Sequence, residues 1–301
     1  MTDPNHSGET EQIRIVETDI SYLAPGSFIN RRFVSPGKEV NTGTYELHRM
    51  QVRDGRPIKD QFTLDKHGFV LAEYESKVTD FFDNEQVDAV YPGEVIEIVK
   101  RLTGADQVIP LGWMVRTSGD LEKHQREEVG YTHKGGVQPP AADAHVDFMP
   151  DRAETAGREL YKQHFPGGKP FTRFIASSLW RCFSGPPQDW PLALCEGSSV
   201  SADEGTPNSL IIVDEIPDRE AMLADMPEEQ TTMTAAIFRH NPNHRWWYFP
   251  DMTRDEVLLF KFHDSDRSRA WRVPHTAFRD TSFPDARPRE SIEFRTMAYF
   301  L

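Results

Sequence analysis

The amino-acid sequence predicts a mainly β protein whose core is an eight-stranded jelly roll, flanked by helices and by N-terminal strands. Three observations support this fold class. The second half of the chain holds eight short apolar runs separated by turn residues at fairly regular spacing, which is typical of closed or double-sheet antiparallel folds. The chain has 301 residues and is 38% hydrophobic, enough to bury one large core. It contains no internal repeat and no low-complexity tract.

The N-terminal part of the chain is expected to form strands. Residues 1–12 are polar and acidic, which predicts a disordered tail. After this tail, short runs such as YELHRMQV are broken by DG, PG and KHG turn signals, a pattern that favours strands. We therefore assign 13–301 to a single domain, with an N-terminal extension over 13–104 and the jelly-roll core over about 105–301.

A helix is predicted over Tyr91–Leu102, where apolar residues recur on one stripe. Pro92 lies near its first turn and Gly104 ends it. A strand follows in the run QVIPLGWMVR, which ends on Arg116.

The stretch Thr117–Ala142 is polar and rich in glycine and proline, so we expect a long mobile loop that orders over a bound substrate.

A second helix is predicted around Ala153–His164, with Asp151 available to cap it. Another helical segment, IPDREAMLADM, interrupts the strands of the core. The eight strand-like runs are FTRFIASSLWRCF, PLALC, SLIIVDE, AAIFRH, RWWYF, EVLLFKF, AWRVPHTAF and SIEFRTMAYF.

Charge and composition exclude several classes of partner. The net charge of −14 argues against nucleic acid and, more weakly, against anionic membranes. No secretory signal and no membrane-spanning run is recognisable, so we expect a cytoplasmic protein. Cys182 and Cys195 lie 13 residues apart without a CxxC pattern, which favours two reduced, buried thiols. The expected partner is a small-molecule substrate, and the oligomeric state, including a homodimer, is left open.

The most informative fragment is His145-Val146-Asp147. Residues i and i+2 of a strand face the same side, so both polar side chains can reach one ion. Two histidines and one carboxylate on one face leave three positions open, as in non-haem iron(II) oxygenases. An HxD triplet alone also occurs by chance in many proteins, so a second histidine is needed.

Four later histidines compete for that place. His240 and His244 lie in the polar segment RHNPNHR, which favours a loop, and His263 is followed directly by the charged run DSD. His275 lies in AWRVPHTAF, whose apolar residues would shield an ion from bulk water. We therefore predict that His275 completes the triad.

Arg289 and Ser291 follow His275 and share one face of the last predicted strand. A guanidinium fork and a hydroxyl can hold the distal carboxylate of a dicarboxylic co-substrate. The alternative is that Arg289 forms a surface ion pair with Glu290 or Glu293. The presence of HxD and a suitably placed histidine favours the co-substrate site.

The pattern HxD…H…RxS resembles the iron(II)/2-oxoglutarate-dependent oxygenases, whose fold is the double-stranded β-helix, a cupin-like jelly roll. The chain further resembles the hydroxylase/desaturase subgroup of secondary metabolism that is named after gibberellin desaturase and cephem methoxylase. This similarity covers nearly all of the chain after residue 40. It is carried by DGRPIKDQFTLDKHGFVL, LWRC…DWPLALCE, NPNHRWWYFPDMTRDEVLLFKFHDSD and VPHTAFRD…RPRESIEFR.

The resemblance implies a set of roles and a reaction. His145, Asp147 and His275 would bind Fe(II), while Arg289 and Ser291 would hold 2-oxoglutarate. With O2, such enzymes couple decarboxylation of 2-oxoglutarate to hydroxylation, desaturation or oxidative cyclisation of a small molecule. The chain departs from its subgroup in having SLWRC where NVWRP is usual and Glu196 where aspartate is commoner, which leaves its substrate open.

Four further residues are candidates for substrate binding. Arg116 could clamp a substrate carboxylate or form a structural salt bridge, and Arg181 is a charged residue on a central strand. Trp180 and Trp246 could line an apolar pocket. Two other functions stay open at this point: an iron- and oxygen-dependent oxidase that does not use 2-oxoglutarate, with Arg289 holding the substrate, and a non-catalytic jelly-roll binding protein.

Overall fold

Strands form most of the regular structure in residues 13–35, 38–124, 136–227 and 233–301, the part of the chain that the computed structural model describes. The predicted tail at 1–12 lies outside these residues. Within them the strands are β1 (Ile15–Leu23), β2 (Arg31–Ser35), β3 (Lys38–Asn41), β4 (Tyr45–Asp54), β5 (Phe69–Glu73), β6 (Gln107–Thr117), β7 (Val137–Gln138), β8 (His145–Val146), β9 (Arg173–Cys182), β10 (Leu192–Cys195), β11 (Thr206–Ile212), β12 (Thr234–Ile237), β13 (Trp246–Tyr248), β14 (Glu256–Asp264), β15 (His275–Ala277) and β16 (Glu290–Phe300).

The strands form two sheets that face each other. The larger sheet has the order β1-β4-β13-β10-β15-β8-β12-β11-β2-β3, and the smaller has the order β5-β14-β9-β16-β6-β7. Their facing sides share one hydrophobic cluster, to which β10 contributes Leu194, β9 contributes Trp180 and β14 contributes Phe260. Each of the eight apolar runs overlaps a strand. The mainly β jelly-roll prediction is therefore confirmed.

The N-terminal strands are hydrogen-bonded into both sheets. β1 pairs with β4 at one end of the larger sheet, β2 and β3 form its other end, and β5 pairs with β14 in the smaller sheet. Alternation of exposed and buried residues along β1 shows why it forms a strand with one solvent face.

Helix α1 spans Asn84–Thr103 and begins earlier than the sequence predicts. Asp83 caps it by accepting hydrogen bonds from two backbone N–H groups of the first turn. Pro92 therefore lies inside the helix rather than in its first turn. The prediction of the start was wrong, because the Asp83 cap and the burial of Val87 stabilise a longer helix than the apolar stripe indicates. Gly104 ends it at φ 74°, as predicted.

Helix α1 covers the outer face of the smaller sheet. Its buried residues pack in one cluster with Leu179 of β9, Leu259 of β14 and Ile292 of β16. Consequently β9 and β14 are buried on both faces, one by the jelly-roll interior and the other by the helix.

Helix α2 (Pro150–His164) directly follows the strand that carries the HxD triplet. Its N-cap residue is Met149, and no side chain caps it, so the prediction of an Asp151 cap was wrong; Pro150 instead presets the first helical turn. A short helix, α3 (Arg219–Leu223), lies in the predicted insertion and is capped by Asp218.

The predicted loop 117–142 contains short regular elements at both ends, a 3-10 turn at Leu121–His124 and strand β7, whereas 125–135 lies outside the described residues. Two further 3-10 turns span Arg56–Gln61 and Gly197–Ser199. None of the helices in the described part of the chain is long and apolar enough to cross a membrane.

Candidate metal centre

The two predicted histidine ligands meet because β8 and β15 are neighbours. His145 and His275 lie directly opposite each other in this pair, so their imidazoles point to the same side of the sheet. The ring centroids are 4.3 Å apart. Asp147 follows just past the end of β8, with Oδ1 3.4 Å from Nε2 of His145 and 3.6 Å from Nε2 of His275. One donor atom from each of the three side chains thus lies within 4.8 Å of the other two.

Each imidazole is held with Nε2 toward the centre. Nδ1 of His145 lies 2.8 Å from the carbonyl of Asp143, and Nδ1 of His275 lies 3.2 Å from the carbonyl of Val273. A carbonyl can only accept, so Nδ1 carries the proton in both rings and Nε2 is free to donate a lone pair to a metal.

Electrostatics at the centre favour an ionised carboxylate at Asp147 and a neutral imidazole at His275. Burial alone would raise the pKa of Asp147, but Arg295 and the two histidines hold it well below its usual range. Burial and the neighbouring His145 lower the pKa of His275. At His145, burial is outweighed by the contact with Asp147 and the charge of Asp143, so its pKa is raised; a metal ion would have to displace that proton. The triad of His145, Asp147 and His275 thus offers a negatively charged oxygen and imidazole nitrogens, a donor set that fits iron(II) or another borderline divalent ion.

Arg295 also contacts the triad, although the sequence analysis did not single it out. Its Nε donates to Oδ2 of Asp147 at 2.6 Å, and its Nη2 donates to Glu293 at 2.9 Å. Glu293 also accepts from Arg116 at 3.2 Å. A signal was present: these residues continue the alternation from Arg289 and Ser291, and alternate residues of one strand share a face.

The structure separates His263 from this group. Although buried, its Nε2 lies 3.1 Å from Oε1 of Glu154 in helix α2. His244 is likewise engaged elsewhere, with Nε2 2.6 Å from Oε2 of Glu204. The structure thus brings His275 to the HxD pair, as the sequence predicts.

Arg289 and Ser291 are both 1% exposed, so the alternative of a surface ion pair for Arg289 was wrong. Nη1 of Arg289 donates to the carbonyl of Trp190 at 3.0 Å, whereas Nε and the hydroxyl of Ser291 have no hydrogen-bond partner in the described residues. The guanidinium lies over the ring of Trp180, 5.8 Å from its centroid. Burial lowers the pKa of Arg289 to about 10. A buried cation beside an unsatisfied hydroxyl fits an anionic ligand.

A cavity of about 870 Å³ opens beside the metal centre, lined by β6, β12, α2 and the inner face of β16. Arg116 lies in its wall, where it forms a salt bridge with Glu293 and donates to the carbonyl of Pro139. Contact with a substrate stays a prediction. The walls combine apolar and charged side chains. They include Leu111, Trp113, Met114, Phe148, Leu210, Ile237, Arg32, Arg152 and Glu159.

Two predicted substrate residues do not lie at the site. Arg181 pairs with Ile292 across β9 and β16 and points to the opposite face, under α1. There its guanidinium donates to the hydroxyl of Tyr91 at 3.2 Å and to the carbonyl of Tyr74 at 2.9 Å. The guanidinium of Arg181 therefore hydrogen-bonds to a carbonyl and a hydroxyl under α1 and does not reach the substrate cavity.

Trp246 also lies on the wrong face. In β10 and β13, Leu194 is opposite both Trp247 and His275, so Trp247 shares the inner face with the metal centre. Trp246 is fully buried on the other face and donates from its indole nitrogen to Tyr22 at 2.8 Å. Adjacent residues alternate faces, and the sequence did not show which of the two points inward.

Comparison with known proteins gives consistent relatives. A family model described as "Oxidoreductase/YMDC permease-like domain" matches residues 20–299. The chain is 30% identical to the hydroxylase/desaturase efuI of Hormonema carpetanum, over 87% of this chain and 89% of that protein. It is 31% identical to the hydroxylase/desaturase CTB9 of Cercospora beticola, over 85% and 78% respectively.

A solved structure shows the same architecture. The iron and alpha-ketoglutarate-dependent endoperoxidase NvfI superposes with a TM-score of 0.75 at 25% identity, covering 95% of this chain and 98% of that one. In sequence, the chain is 28% identical to the Fe(II)/2-oxoglutarate-dependent dioxygenase nvfI of Aspergillus novofumigatus, over 88% of this chain and 87% of that protein. Alpha-ketoglutarate and 2-oxoglutarate are the same compound.

Proposed function

We propose a reaction from the premise that the chain belongs to the hydroxylase/desaturase family of iron(II)- and 2-oxoglutarate-dependent oxygenases. The enzyme couples decarboxylation of 2-oxoglutarate to hydroxylation, desaturation or oxidative cyclisation of a small natural-product intermediate. The observation that carries this is the convergence of His145, Asp147 and His275 beside a cavity, with the buried, incompletely bonded Arg289 and Ser291 on the strand that also contacts Asp147.

In the proposed complex, Nε2 of His145, Nε2 of His275 and a carboxylate oxygen of Asp147 would hold iron(II). The carbonyls of Asp143 and Val273 fix the orientation of the two imidazoles, so little movement is needed when the metal binds. Three protein ligands on one face leave positions for 2-oxoglutarate and O2, and the bound iron supplies the oxidising chemistry.

Arg289 and Ser291 would bind the distal carboxylate of 2-oxoglutarate. Nε of Arg289 and the hydroxyl of Ser291 lack partners among the described residues, and a carboxylate would satisfy both at once. Trp180 supports the guanidinium from one side, and Trp190 fixes Nη1 through its carbonyl. This assigns Trp180 a supporting role rather than direct contact with the primary substrate.

The cavity would hold the primary substrate beside the metal. Its apolar wall residues would contact the hydrocarbon part of the substrate, and Arg116 is placed to orient a polar group of the substrate. The expected partner is a small molecule. The homodimer, the cytoplasmic location, and the absence of nucleic-acid and membrane partners stay predictions.

The test is an aerobic incubation of iron-loaded protein with 2-oxoglutarate and a panel of natural-product intermediates, followed by mass spectrometry. We expect substrate-dependent succinate together with a product that has gained one oxygen or lost two hydrogens. His275→Ala serves as the control and should form neither. Substrate oxidation with iron and O2 but without succinate would contradict the proposal and favour the oxidase alternative.

A further inference from the structure

Asp147 has two oxygens, and the structure gives them different partners. Oδ1 faces Nε2 of both histidines, at 3.4 and 3.6 Å. Oδ2 points away from them and accepts a hydrogen bond from Nε of Arg295 at 2.6 Å, a short, charge-assisted contact. A carboxylate can bind a metal through one oxygen or through both. The two-oxygen mode would require Oδ2 to leave Arg295.

Arg295 is itself held in place by a chain of charges. Its Nη2 donates to Oε1 of Glu293 at 2.9 Å, and Oε2 of Glu293 accepts from Nε of Arg116 at 3.2 Å. Arg116 in turn donates from Nη1 to the carbonyl of Pro139 at 2.9 Å. One planar guanidinium therefore bridges two carboxylates with two different nitrogens, an arrangement that an ammonium group cannot reproduce. This restricts rotation of the Arg295 guanidinium at the metal centre.

From this geometry we propose that Arg295 is a positioning residue that keeps Asp147 bound to the metal through Oδ1 alone. The inference rests on the proposed function, because it takes the triad as the metal site. Three single-atom ligands on one face of an octahedral ion leave three positions. A carboxylate bound through both oxygens would fill one of them. Chelation of 2-oxoglutarate would fill the other two and leave none for O2.

A purely structural ion pair is the competing explanation, and burial helps to separate the two. The side chain of Arg295 is 35% exposed, and ion pairs of this exposure contribute little to stability. Its contact with Asp147 is nevertheless short and lies directly at the proposed metal ligand. We therefore expect Arg295→Gln to change metal coordination and kcat much more than the free energy of unfolding.

The experiment uses the Mn(II)-loaded protein without 2-oxoglutarate, because enhancement of water proton relaxation reports the number of exchangeable waters on Mn(II). We expect three waters in the wild type and fewer in Arg295→Gln. In the iron-loaded enzyme at saturating 2-oxoglutarate, kcat should fall roughly 10- to 100-fold, the range typical for residues that orient a metal ligand. The matched control is Arg56→Gln. Arg56 forms a partly buried ion pair with Glu256, with N–O distances of 2.7 and 2.8 Å, and this pair does not contact the triad.

Three results would overturn the proposal in different ways. If folded Arg295→Gln keeps both the wild-type water count and the wild-type kcat, Arg295 does not position Asp147, while the metal site itself stands. If Arg56→Gln changes the water count as much as Arg295→Gln, the effect is not specific to the contact with Asp147. If the wild type does not bind Mn(II), or His275→Ala binds it equally well, the triad fails and this inference fails with it.

Discussion

Replacing Arg289 with glutamine removes the group that we assign to the distal carboxylate of 2-oxoglutarate. Arg289 is 1% exposed, so its partner in the complex would be fully desolvated. Loss of one member of such a buried charge pair costs about 2–5 kcal/mol. At roughly tenfold per 1.4 kcal/mol, the affinity for 2-oxoglutarate should fall by at least about thirtyfold. Lysine should recover only part of this loss, because an ammonium lacks the planar fork.

The same substitution should affect stability in the opposite direction. Without ligand, the buried guanidinium has one bond to a carbonyl and an unsatisfied Nε, and burial lowers its pKa to about 10. A buried charge that is incompletely bonded destabilises the folded state. We therefore expect Arg289→Gln without 2-oxoglutarate to be at least as stable as the wild type. Added 2-oxoglutarate at a hundred times the wild-type Kd should stabilise the wild type by about 2.7 kcal/mol and the variant by far less.

The assay is an anaerobic titration of the iron-loaded protein with 2-oxoglutarate, followed by the metal-to-ligand charge-transfer band. Thermal unfolding is measured with and without 2-oxoglutarate. Iron binding should survive, since Arg289 does not belong to the triad. The matched control is Arg272→Gln, because Arg272 is also buried, donates only to carbonyls, has an unsatisfied Nε and has a pKa lowered to about 10. An unchanged 2-oxoglutarate affinity in Arg289→Gln, or an equal loss in Arg272→Gln, would refute the assignment.

Three further predictions concern the metal site, acid stability and the misplaced arginine. His145→Ala and Asp147→Ala should each abolish succinate formation while far-UV circular dichroism stays unchanged; activity in either would contradict the triad. Burial alone would raise the pKa of Glu196, but hydrogen bonds from Arg245 outweigh it and lower the pKa from 4.5 to about 2. This contribution to stability is therefore complete above about pH 4.5 and lost as the pH falls toward 2. Glu196→Gln should flatten the pH dependence of the unfolding free energy in that window, and an unchanged slope would refute this prediction. Arg181→Gln should lower the unfolding free energy by about 1–3 kcal/mol without changing the KM for 2-oxoglutarate, because it leaves buried carbonyls unsatisfied away from the site; a raised KM would return Arg181 to the site.

The sequence was sufficient for features that depend on local periodicity. Alternation along a strand places His145 and Asp147 on one side, and likewise Arg289 and Ser291. The apolar surroundings of His275 distinguished it from His263, whose neighbours are charged. These arguments use only residues that lie a few positions apart in the chain, and for that reason they needed no tertiary information.

Capping shows where local patterns were insufficient. The apolar stripe of α1 predicts a helix from Tyr91, yet the helix begins at Asn84 because Asp83 satisfies its first N–H groups. Asp151 is of a residue type that often caps helices, but it lies within the first turn of α2, because that helix starts at Pro150. Cap and first-turn residues have overlapping compositions, so the start of a helix is decided by which backbone groups remain to be bonded.

By itself, the sequence determined the fold class and predicted the residues of the triad and the pair on the last strand, whereas only the tertiary structure decided which face of each strand is the interior. Strand β9 is buried on both sides, since α1 covers one face and the second sheet covers the other. Hydrophobicity therefore could not separate Trp180, which points inward, from Arg181, which points outward. The contact between Arg295 and Asp147 likewise joins residues 148 positions apart. Such pairings depend on how the sheets close against each other, and no local pattern specifies that.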